Sequence, residues 1–243
     1  MSRFTVQATW DDVPHLSDQD KRDLWNSFPV HEREARAKGV PMLGSGRIFP
    51  VDEGAITCPP VAVPPHWVQI VGIDFGWDHP FAAARMAWDR DADVVYVTHE
   101  YRQREATPPI HAAAIRAWGD WLPVAWPHDA HQHDKGSGIS LRDQYQSHGL
   151  KMLHEQASHE AGGNSVEAGI TDMLERMETG RWQVFETCRS WLEELRMYHR
   201  KDGKIVKLRD DLISASRYAL MMKRFAKKKP SAQPLKYDNR GII

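Results

Sequence analysis

Three aspartate positions have the residue type and placement needed to hold a hard divalent cation. Asp74 directly follows the apolar, β-branched run of residues 68–73, which predicts a buried strand. Asp129 follows a second short apolar stretch, and Asp210 and Asp211 open the last helical segment. A carboxylate at the end of a core strand is costly to desolvate unless something pairs with it. Carboxylates that meet at one place would bind ions such as Mg²⁺, and two such ions can promote phosphodiester hydrolysis.

Helical periodicity distinguishes between the two adjacent aspartates. The apolar residues of the last helix recur at about 100° per residue and form one stripe. The stripe consists of Leu212, Ala215, Ala219, Met222 and Ala226. Asp211 lies at its edge, one turn before Ala215, whereas Asp210 points away from it. We therefore predict that Asp211 is the inward ligand and that Asp210 is a helix cap or a supporting group.

Each of these aspartates also has a simpler interpretation. An isolated aspartate after a strand is often a turn residue, and paired aspartates before a helix are a common capping arrangement. Asp78 and His79, four and five residues after Asp74, either support the metal site or cap the turn before Pro80. Only the joint placement of the three positions favours a catalytic site.

A histidine-rich loop offers a competing metal site. His131, His133 and Asp134 have residue types that bind zinc, but their spacing matches no usual zinc pattern, so an exposed loop is favoured. Lys135 in the same loop is either a phosphate contact or a surface lysine. The chain contains no Gly-x-x-x-x-Gly-Lys-Ser/Thr motif, so the sequence predicts no phosphate loop for ATP.

The order of predicted elements indicates a mixed α/β fold. Residues 1–66 form a leader of short helices that ends in a proline-rich linker. Residues 67–226 begin with three strands in an antiparallel meander and continue with a helix, a fourth strand, further mixed elements and a long final helix over 210–225. This order predicts a mixed sheet flanked by helices. Residues 227–243 are basic and then featureless, which predicts disorder.

Composition places the chain among ordinary soluble globular proteins. It has 243 residues, 41% hydrophobic and 27% charged, with a formal net charge of −1. The length suits one large domain with or without an appendage. Two distant cysteines, no signal peptide and no membrane-spanning apolar run predict a protein of a reducing cytoplasm with no membrane partner.

Because the net charge is close to zero, any binding of nucleic acid must depend on local clusters of cations. The candidates are Arg102 and Arg104 after the third strand, Lys135, the hairpin residues Arg200, Lys201 and Lys204, and the segment 223–229. Phosphate contacts by these residues would make DNA binding strongly dependent on salt. Any one of them alone is more simply a solvated surface residue.

Several segments together resemble the nuclease domain of tailed-phage terminase large subunits. They are Gly72–Pro80, the pair His128 and Asp129, and Asp210–Ala219 with its Asp-Asp-x-x-x-Ala-x-Arg-Tyr-Ala pattern. In the leader, residues 8–16 and 39–50 resemble the stretch that joins the motor domain of these proteins to the nuclease. The resemblance covers nearly all of residues 5–225.

The resemblance implies a ribonuclease H-like fold and cleavage of double-stranded DNA with two Mg²⁺ or Mn²⁺ ions. Asp74 would bridge both ions, and Asp129 and Asp211 would each hold one. Enzymes of this family cut concatemeric phage DNA when head filling starts and ends. They act with a small terminase subunit and a portal protein, in the cytoplasm of the bacterial host; a prophage-encoded protein would act in the same compartment.

Two features depart from the family pattern, and two other functions stay open. The family carries an ATPase motor domain before the leader, and this chain has none, so the resemblance implies a fragment or a split gene. Ser214 stands where many relatives have a further aspartate. A junction-resolvase-type ribonuclease H-like nuclease is disfavoured by the leader. A non-catalytic assembly module that docks on the portal is disfavoured by the aspartate set.

Overall fold

The computed structural model describes residues 7–40, 46–128 and 139–230. Its helices are α1 (Asp18–Ser27), α2 (Val30–Ala37), α3 (Glu53–Ile56), α4 (Pro108–Arg116), α5 (Leu141–Ser147), α6 (Val166–Glu178), α7 (Arg189–Met197) and α8 (Asp211–Met221). Its strands are β1 (Thr57–Cys58), β2 (Val68–Asp74), β3 (Phe81–Asp89), β4 (Val94–Gln103), β5 (Pro123–Ala125), β6 (Lys151–Met152), β7 (Trp182–Phe185), β8 (Arg200–Lys201), β9 (Lys204–Ile205) and β10 (Lys227–Lys228). None of the helices in these ranges is long and apolar enough to cross a membrane.

A mixed sheet organises the chain. Eight strands pair in the order β1-β7-β4-β3-β2-β5-β6, and β10 pairs with β2. The strands β2, β3 and β4 form the predicted antiparallel meander. The predicted fourth strand is β5, which lies parallel to β2 with Val71 opposite Val124 and Gly72 opposite Ala125. The parallel contact matters because it brings the carboxyl ends of β2 and β5 to the same edge of the sheet.

Alternation along β2 assigns helices to the two faces of the sheet. A Cβ atom at Gly72 would point at Ala215 and Ala219 of α8, so the even-numbered residues of β2 face α8. Phe81 lies on the opposite face, because it is two residues from Ala83, the partner of Ile73. There its ring stacks on His111 of α4 and Tyr145 of α5. Asp74, two residues after Gly72, therefore shares the α8 face.

We expect Gly72→Ala to destabilise the fold strongly. An added Cβ would lie 1.9 Å from the carbonyl oxygen of Ala215 and 2.8 Å from the amide nitrogen of Ala219, both backbone atoms that cannot rotate away. Helix α8 would have to move off the sheet, at a cost of at least about 2 kcal/mol in free energy of unfolding. Chemical denaturation measures this. The control is Gly54→Ala in α3, where the nearest atom is the flexible carboxylate of Glu34 at 3.4 Å; equal losses in both variants would contradict the close approach of α8.

The opposite face of the sheet contains a buried aromatic cluster with a neutral histidine. The His111 ring lies 4.0 Å from the Phe81 ring, centroid to centroid, at 15°, and its Nδ1 atom lies 2.7 Å from the Tyr145 hydroxyl. Only 1% of His111 is exposed. Burial lowers the pKa of His111 to about 4, because a charged imidazole would be desolvated there.

This shift predicts acid sensitivity. The unfolded chain binds a proton at His111 below about pH 6.5 while the folded protein does not, so the stability is intact above that pH and falls as the pH drops toward 4. One such group contributes a slope of about 1.4 kcal/mol per pH unit. Urea denaturation at several pH values gives the free energy of unfolding as a function of pH. Its slope should be shallower for His111→Phe and equal to that of the wild type for His66→Phe, because His66 is exposed. Identical slopes for all three proteins would be inconsistent with a buried neutral His111.

Part of the predicted leader, residues 1–66, packs into the main hydrophobic core. Helix α1 begins at the predicted cap, where the Ser17 side chain and Asp20 form a capping box, and α2 follows as expected. Beyond them, however, the chain joins the main core: Phe49 and Ile56 are fully buried, and β1 pairs with β7. The second half of the predicted 1–66 leader therefore packs with the sheet, because its apolar residues are buried there.

The C-terminal region differs from its prediction at two points. The final helix ends at Met221 rather than Phe225, and a 3-10 turn over Lys223–Phe225 follows. Residues 227–228, predicted to be disordered, form β10, in which Lys227 lies opposite Gln69 and Lys228 opposite Val68. Strand β5 pairs only with Val71 and Gly72, so the backbone N–H and C=O groups at the start of β2 would lack a partner on that side. Strand β10 pairs with them.

Candidate active site

The site is built at the carboxyl end of β2. Asp74 is the last residue of this strand and is half-buried, in contrast to the fully covered residues before it. The alternation that points Gly72 at α8 points the Asp74 side chain toward the same layer. The sequence therefore correctly predicted a carboxylate where the core strand ends.

Helix α8 brings Asp211 to this end of β2. The chain leaves α8 at Met221 and pairs through Lys228 with Val68, the first residue of β2, so α8 runs antiparallel to β2. Its first residue, Asp211, consequently lies toward the end occupied by Asp74. Asp211 is 8% exposed. Burial raises the pKa of Asp211, and the nearby cations Arg102, His79 and Arg104 oppose that rise.

Asp210 occupies the N-cap position of α8, but its side chain makes no capping hydrogen bond. Its pKa is raised by burial and by the charge of Asp211. Asp211 faces inward, as predicted, and its role as a ligand stays a prediction. Of the two roles predicted for Asp210, a helix cap or a supporting group, the capping is performed by another residue.

That residue is Glu194 of α7, which the sequence analysis missed. Glu194 is fully buried, and its Oε2 accepts hydrogen bonds from the amides of Leu212 at 2.7 Å and Ile213 at 3.1 Å. Its Oε1 accepts a 2.8 Å hydrogen bond from Arg102. One carboxylate thus caps the helix that carries Asp211 and binds it to β4. Burial raises the pKa of Glu194 to about 7, and the hydrogen bonds from Arg102 and Ile213 limit the rise.

The preceding helix is held in the same way. The N-cap residue of α7, Cys188, makes no side-chain cap. Instead, Glu100 of β4 accepts hydrogen bonds from the amides of Ser190 at 2.9 Å and Trp191 at 2.7 Å. A carboxylate from β4 therefore caps α7, and a carboxylate from α7 caps α8. The position of Asp211 at the start of α8 thus depends on the sheet through these two caps.

Arg102 lies on the site face of the sheet. It pairs with Ala82, which in turn pairs with Asp74, so the three residues are level across β4, β3 and β2. Two strand spacings separate Asp74 and Arg102, about 10 Å, and Ala82 is the residue between them on β3. Arg102 was predicted in a loop as a DNA contact, but it lies within β4 and donates to Glu194. Arg104 follows the strand and is exposed.

The β2–β3 loop forms the outer wall of the site. Trp77, Asp78 and His79 are exposed, and the charge of His79 is one of the influences that lower the pKa of Asp211. Gly76 is required for this loop, since an added Cβ would lie 2.4 Å from the carbonyl oxygen of His79. The predicted auxiliary role of His79 is compatible with this position.

The third predicted ligand, Asp129, lies outside the described residues, as do His131, His133, Asp134 and Lys135. The described chain reaches His128, after β5 has run parallel to β2 toward the site. Within the described ranges, no group of three or more His, Cys, Asp or Glu side chains could hold a metal ion. The roles of Asp129 and Lys135 stay predictions.

The predicted basic hairpin is present as β8 and β9 between α7 and α8. Arg200 is paired with Glu167, with its NH1 atom 2.8 Å from the carboxylate. Lys201 and Lys204 are exposed and form no ion pair with residues of the described ranges. Of the three hairpin cations, these two are therefore the ones available to an anionic ligand.

The side chains at this edge suit a hard divalent cation. Asp74 and Asp211 offer carboxylate oxygens, the ligands that Mg²⁺ and Mn²⁺ prefer, and with the described residues alone they form no group of three that could hold an ion. The pKa values of both Asp210 and Asp211 are raised by burial, so their ionised forms are costly here without a nearby cation.

Comparison with known proteins places this arrangement in a family. A family model described as "Terminase RNaseH-like domain" matches residues 71–223. The large terminase subunit of Salmonella phage P22 is 46% identical over 227 residues, covering 93% of this chain and 46% of the relative. The chain spans about half the length of the curated relatives it matches.

Solved structures agree with the fold. The nuclease domain of the P22 large terminase superposes with a TM-score of 0.71 at 46% identity, covering 76% of this chain and 95% of that one. The large terminase of a thermophilic bacteriophage, in complex with ADP, has a TM-score of 0.59 at 18% identity, covering 89% and 55%. The large terminase nuclease of the thermophilic phage G20c, with bound cobalt, has a TM-score of 0.50 at 17% identity, covering 73% and 97%. The predicted ribonuclease H-like mixed sheet is confirmed.

Proposed function

Since the chain belongs to the terminase ribonuclease H-like domain family, we propose that it is a metal-dependent endonuclease that cuts double-stranded phage DNA during genome packaging. The observation that carries this proposal is the placement of buried Asp211, by α8, at the end of the central strand where Asp74 lies. Asp74, Asp129 and Asp211 are the proposed catalytic metal ligands. Asp210 and Asp78 are proposed as additional ligands or as hydrogen-bond partners of bound water.

Divalent metal is proposed on the chemistry of these side chains. The cobalt bound to the G20c nuclease is a property of that protein, and it supports the choice of a divalent cation here. We propose two Mg²⁺ or Mn²⁺ ions, which when bound would supply an activated water and neutralise charge at the leaving oxygen. The protein contributes the fixed position of the ligands: Glu194 holds the first turn of α8, and the packing of α8 on Gly72 sets its distance from β2.

Other groups are proposed to handle the DNA. His79 at the edge of the site, and Lys135 beyond the described residues, are proposed auxiliaries near the reacting phosphate. Arg104, Lys201 and Lys204 are exposed cations proposed to contact the backbone. Arg102 and Arg200, predicted as DNA contacts, have carboxylate partners in Glu194 and Glu167, so we propose that they mainly position their surroundings.

The full packaging role rests on partners that this chain would need. We propose that it works with a motor ATPase domain, a small terminase subunit and a portal protein in the cytoplasm of the bacterial host. The 243 residues contain no phosphate-loop motif, so the ATPase is proposed as a partner of the domain described here.

Plasmid cleavage tests the proposed activity. Supercoiled plasmid incubated with the purified protein should be nicked and linearised with Mn²⁺ or Mg²⁺ and stay intact in EDTA. Failure of concentrated protein to cut with either ion would sink the enzyme proposal for this chain. Preferential cutting of a four-way junction over linear duplex would favour the resolvase alternative. Portal binding by a protein that never cuts would favour the assembly module.

A further inference from the structure

A cleft at the other end of the sheet has the composition of an anion-binding site. It has a volume of about 600 Å³ and lies between the end of α5, β6, the 3-10 turn and β10. Its cationic side chains are Arg142, Lys151 and Lys227, and His154 stands beside them. No Asp or Glu is among the described residues that line it. In a chain of net charge −1, a cleft whose charged described lining residues are all cations is a local exception.

The topology of the sheet brings these cations together. Because β3 occupies one edge of β2 along its whole length, both β5 and β10 must pair with the other edge. Strand β10 therefore lies in line with β5 and places Lys227 beside Pro123, next to β6 and Lys151. Residues distant in sequence thus form one surface, whose floor is apolar and consists of Met152, Leu153 and Phe225.

The cationic surface continues beyond the cleft. Lys229 follows β10 and is exposed, and a second cleft of about 450 Å³ shares Lys151 and adds Arg116 and His148, with Asp120 as the one acid among the described residues that line it. Arg142 is partly neutralised by Asp143, 2.8 Å away, whereas Lys151 and Lys227 are exposed and form no ion pair with described residues. An extended row of cations matches a polyanion better than it matches a single carboxylate.

We propose that this surface binds the phosphate backbone of double-helical DNA, at a place separate from the site of cleavage. Lys228 pairs with Val68 at the start of β2, and Asp74 ends that strand, so about 20 Å of strand separates the two regions. Duplex DNA presents one negative charge for about every 1.7 Å of its axis, the kind of ligand that such a row would hold. The choice of DNA rests on the proposed nuclease function.

Binding measured without cleavage separates this proposal from the nuclease activity. Fluorescence anisotropy of a labelled duplex, in EDTA and over a series of salt concentrations, gives the affinity and its salt dependence. The variant Lys151→Glu/Lys227→Glu should bind at least about 10-fold more weakly, and the slope of log K against log salt should fall by about 2 for two lost phosphate contacts. The neutral variant Lys151→Gln/Lys227→Gln should show a smaller loss of affinity.

The matched control is Arg22→Glu, since Arg22 is an exposed cation on α1 whose side chain donates a hydrogen bond only to Gln19 among described residues. It should bind DNA as the wild type does, and thermal melting should verify that all variants fold. Wild-type affinity and slope in the Lys151→Glu/Lys227→Glu variant would overturn the proposal, even if plasmid cleavage had established the nuclease. Loss of poly-glutamate binding with unchanged DNA binding would overturn it in favour of an acidic protein partner.

Discussion

Replacement of Asp211 by asparagine is expected to abolish DNA cleavage and at the same time to stabilise the metal-free protein. Asp211 is 8% exposed, and burial raises the pKa of its carboxylate, so the ionised form lowers the free energy of unfolding when no metal ion is bound. Asparagine has the same shape without the charge. We expect the free energy of unfolding to rise by about 1 kcal/mol, as is common when a functional site loses its strain.

The rate of DNA cleavage by Asp211→Asn should fall, although its stability rises. Without one proposed metal ligand, the rate of plasmid cleavage in Mn²⁺ should fall at least about 1000-fold, or about 4 kcal/mol of transition-state stabilisation. The cleavage rate of Asp210→Asn should fall less, because Asp210 lies outside the first turn of α8. The paired readouts are denaturation in EDTA and initial rates of cleavage in Mn²⁺.

Asp23→Asn on α1 is the matched control, since this aspartate is exposed and accepts a hydrogen bond only from Gln19 among described residues. It should change neither quantity. An Asp211→Asn protein that cuts as fast as the wild type would show that Asp211 is not a ligand. One that is inactive and also much less stable would indicate a structural role instead.

Glu194 is expected to be the residue whose loss damages both the fold and the site. Glu194→Ala removes the acceptor of the Leu212 and Ile213 amides and leaves the Arg102 guanidinium without its buried, hydrogen-bonded partner. Breaking such a buried ion pair costs about 3 kcal/mol. Because the first turn of α8 loses its cap, Asp211 should also lose its fixed position, and the affinity for Mn²⁺ should fall with the cleavage rate.

The conservative variant separates capping from ion pairing. Glu194→Gln keeps an oxygen for the α8 amides but turns an NH₂ group toward the donors of Arg102. The free energy of unfolding of Glu194→Gln should fall by about 2 kcal/mol, and this variant should bind Mn²⁺ more tightly than Glu194→Ala does. A double-mutant cycle with Arg102→Gln should show coupling between the two residues. If Arg102→Gln weakened DNA binding without changing stability, the original assignment of Arg102 as a DNA contact would be favoured.

The control for both variants is Glu193→Gln, the neighbouring residue on α7. Its carboxylate is 44% exposed and lies 3.0 Å from Arg209 and 3.9 Å from Arg102. Exposed pairs of this kind contribute less than about 1 kcal/mol, so Glu193→Gln should stay near wild type in stability and Mn²⁺ affinity. Equal effects at positions 193 and 194 would contradict the positioning role of Glu194.

Local patterns in the sequence determined the elements that carry the candidate site residues, whose roles stay predictions. The β-branched run before Asp74 predicted β2, the cap at Ser17 predicted α1, and the spacing of the apolar stripe in α8 distinguished Asp211 from Asp210. These inferences succeeded because strand alternation, helical phase and capping depend on residues a few positions apart. The order of these elements predicted the mixed sheet, and the family resemblance then supplied the ribonuclease H-like fold.

The tertiary structure alone decided which side chains hold the site together. Glu194 looks like an ordinary acid on an amphipathic helix, and its partners lie 18 and 19 residues away, on another helix, and 92 residues away on β4. Lys227 and Lys151 likewise come together only because β10 pairs with the start of β2. Sequence periodicity reports which face of an element is buried, but contacts between elements depend on how the faces pack, and no local pattern records that.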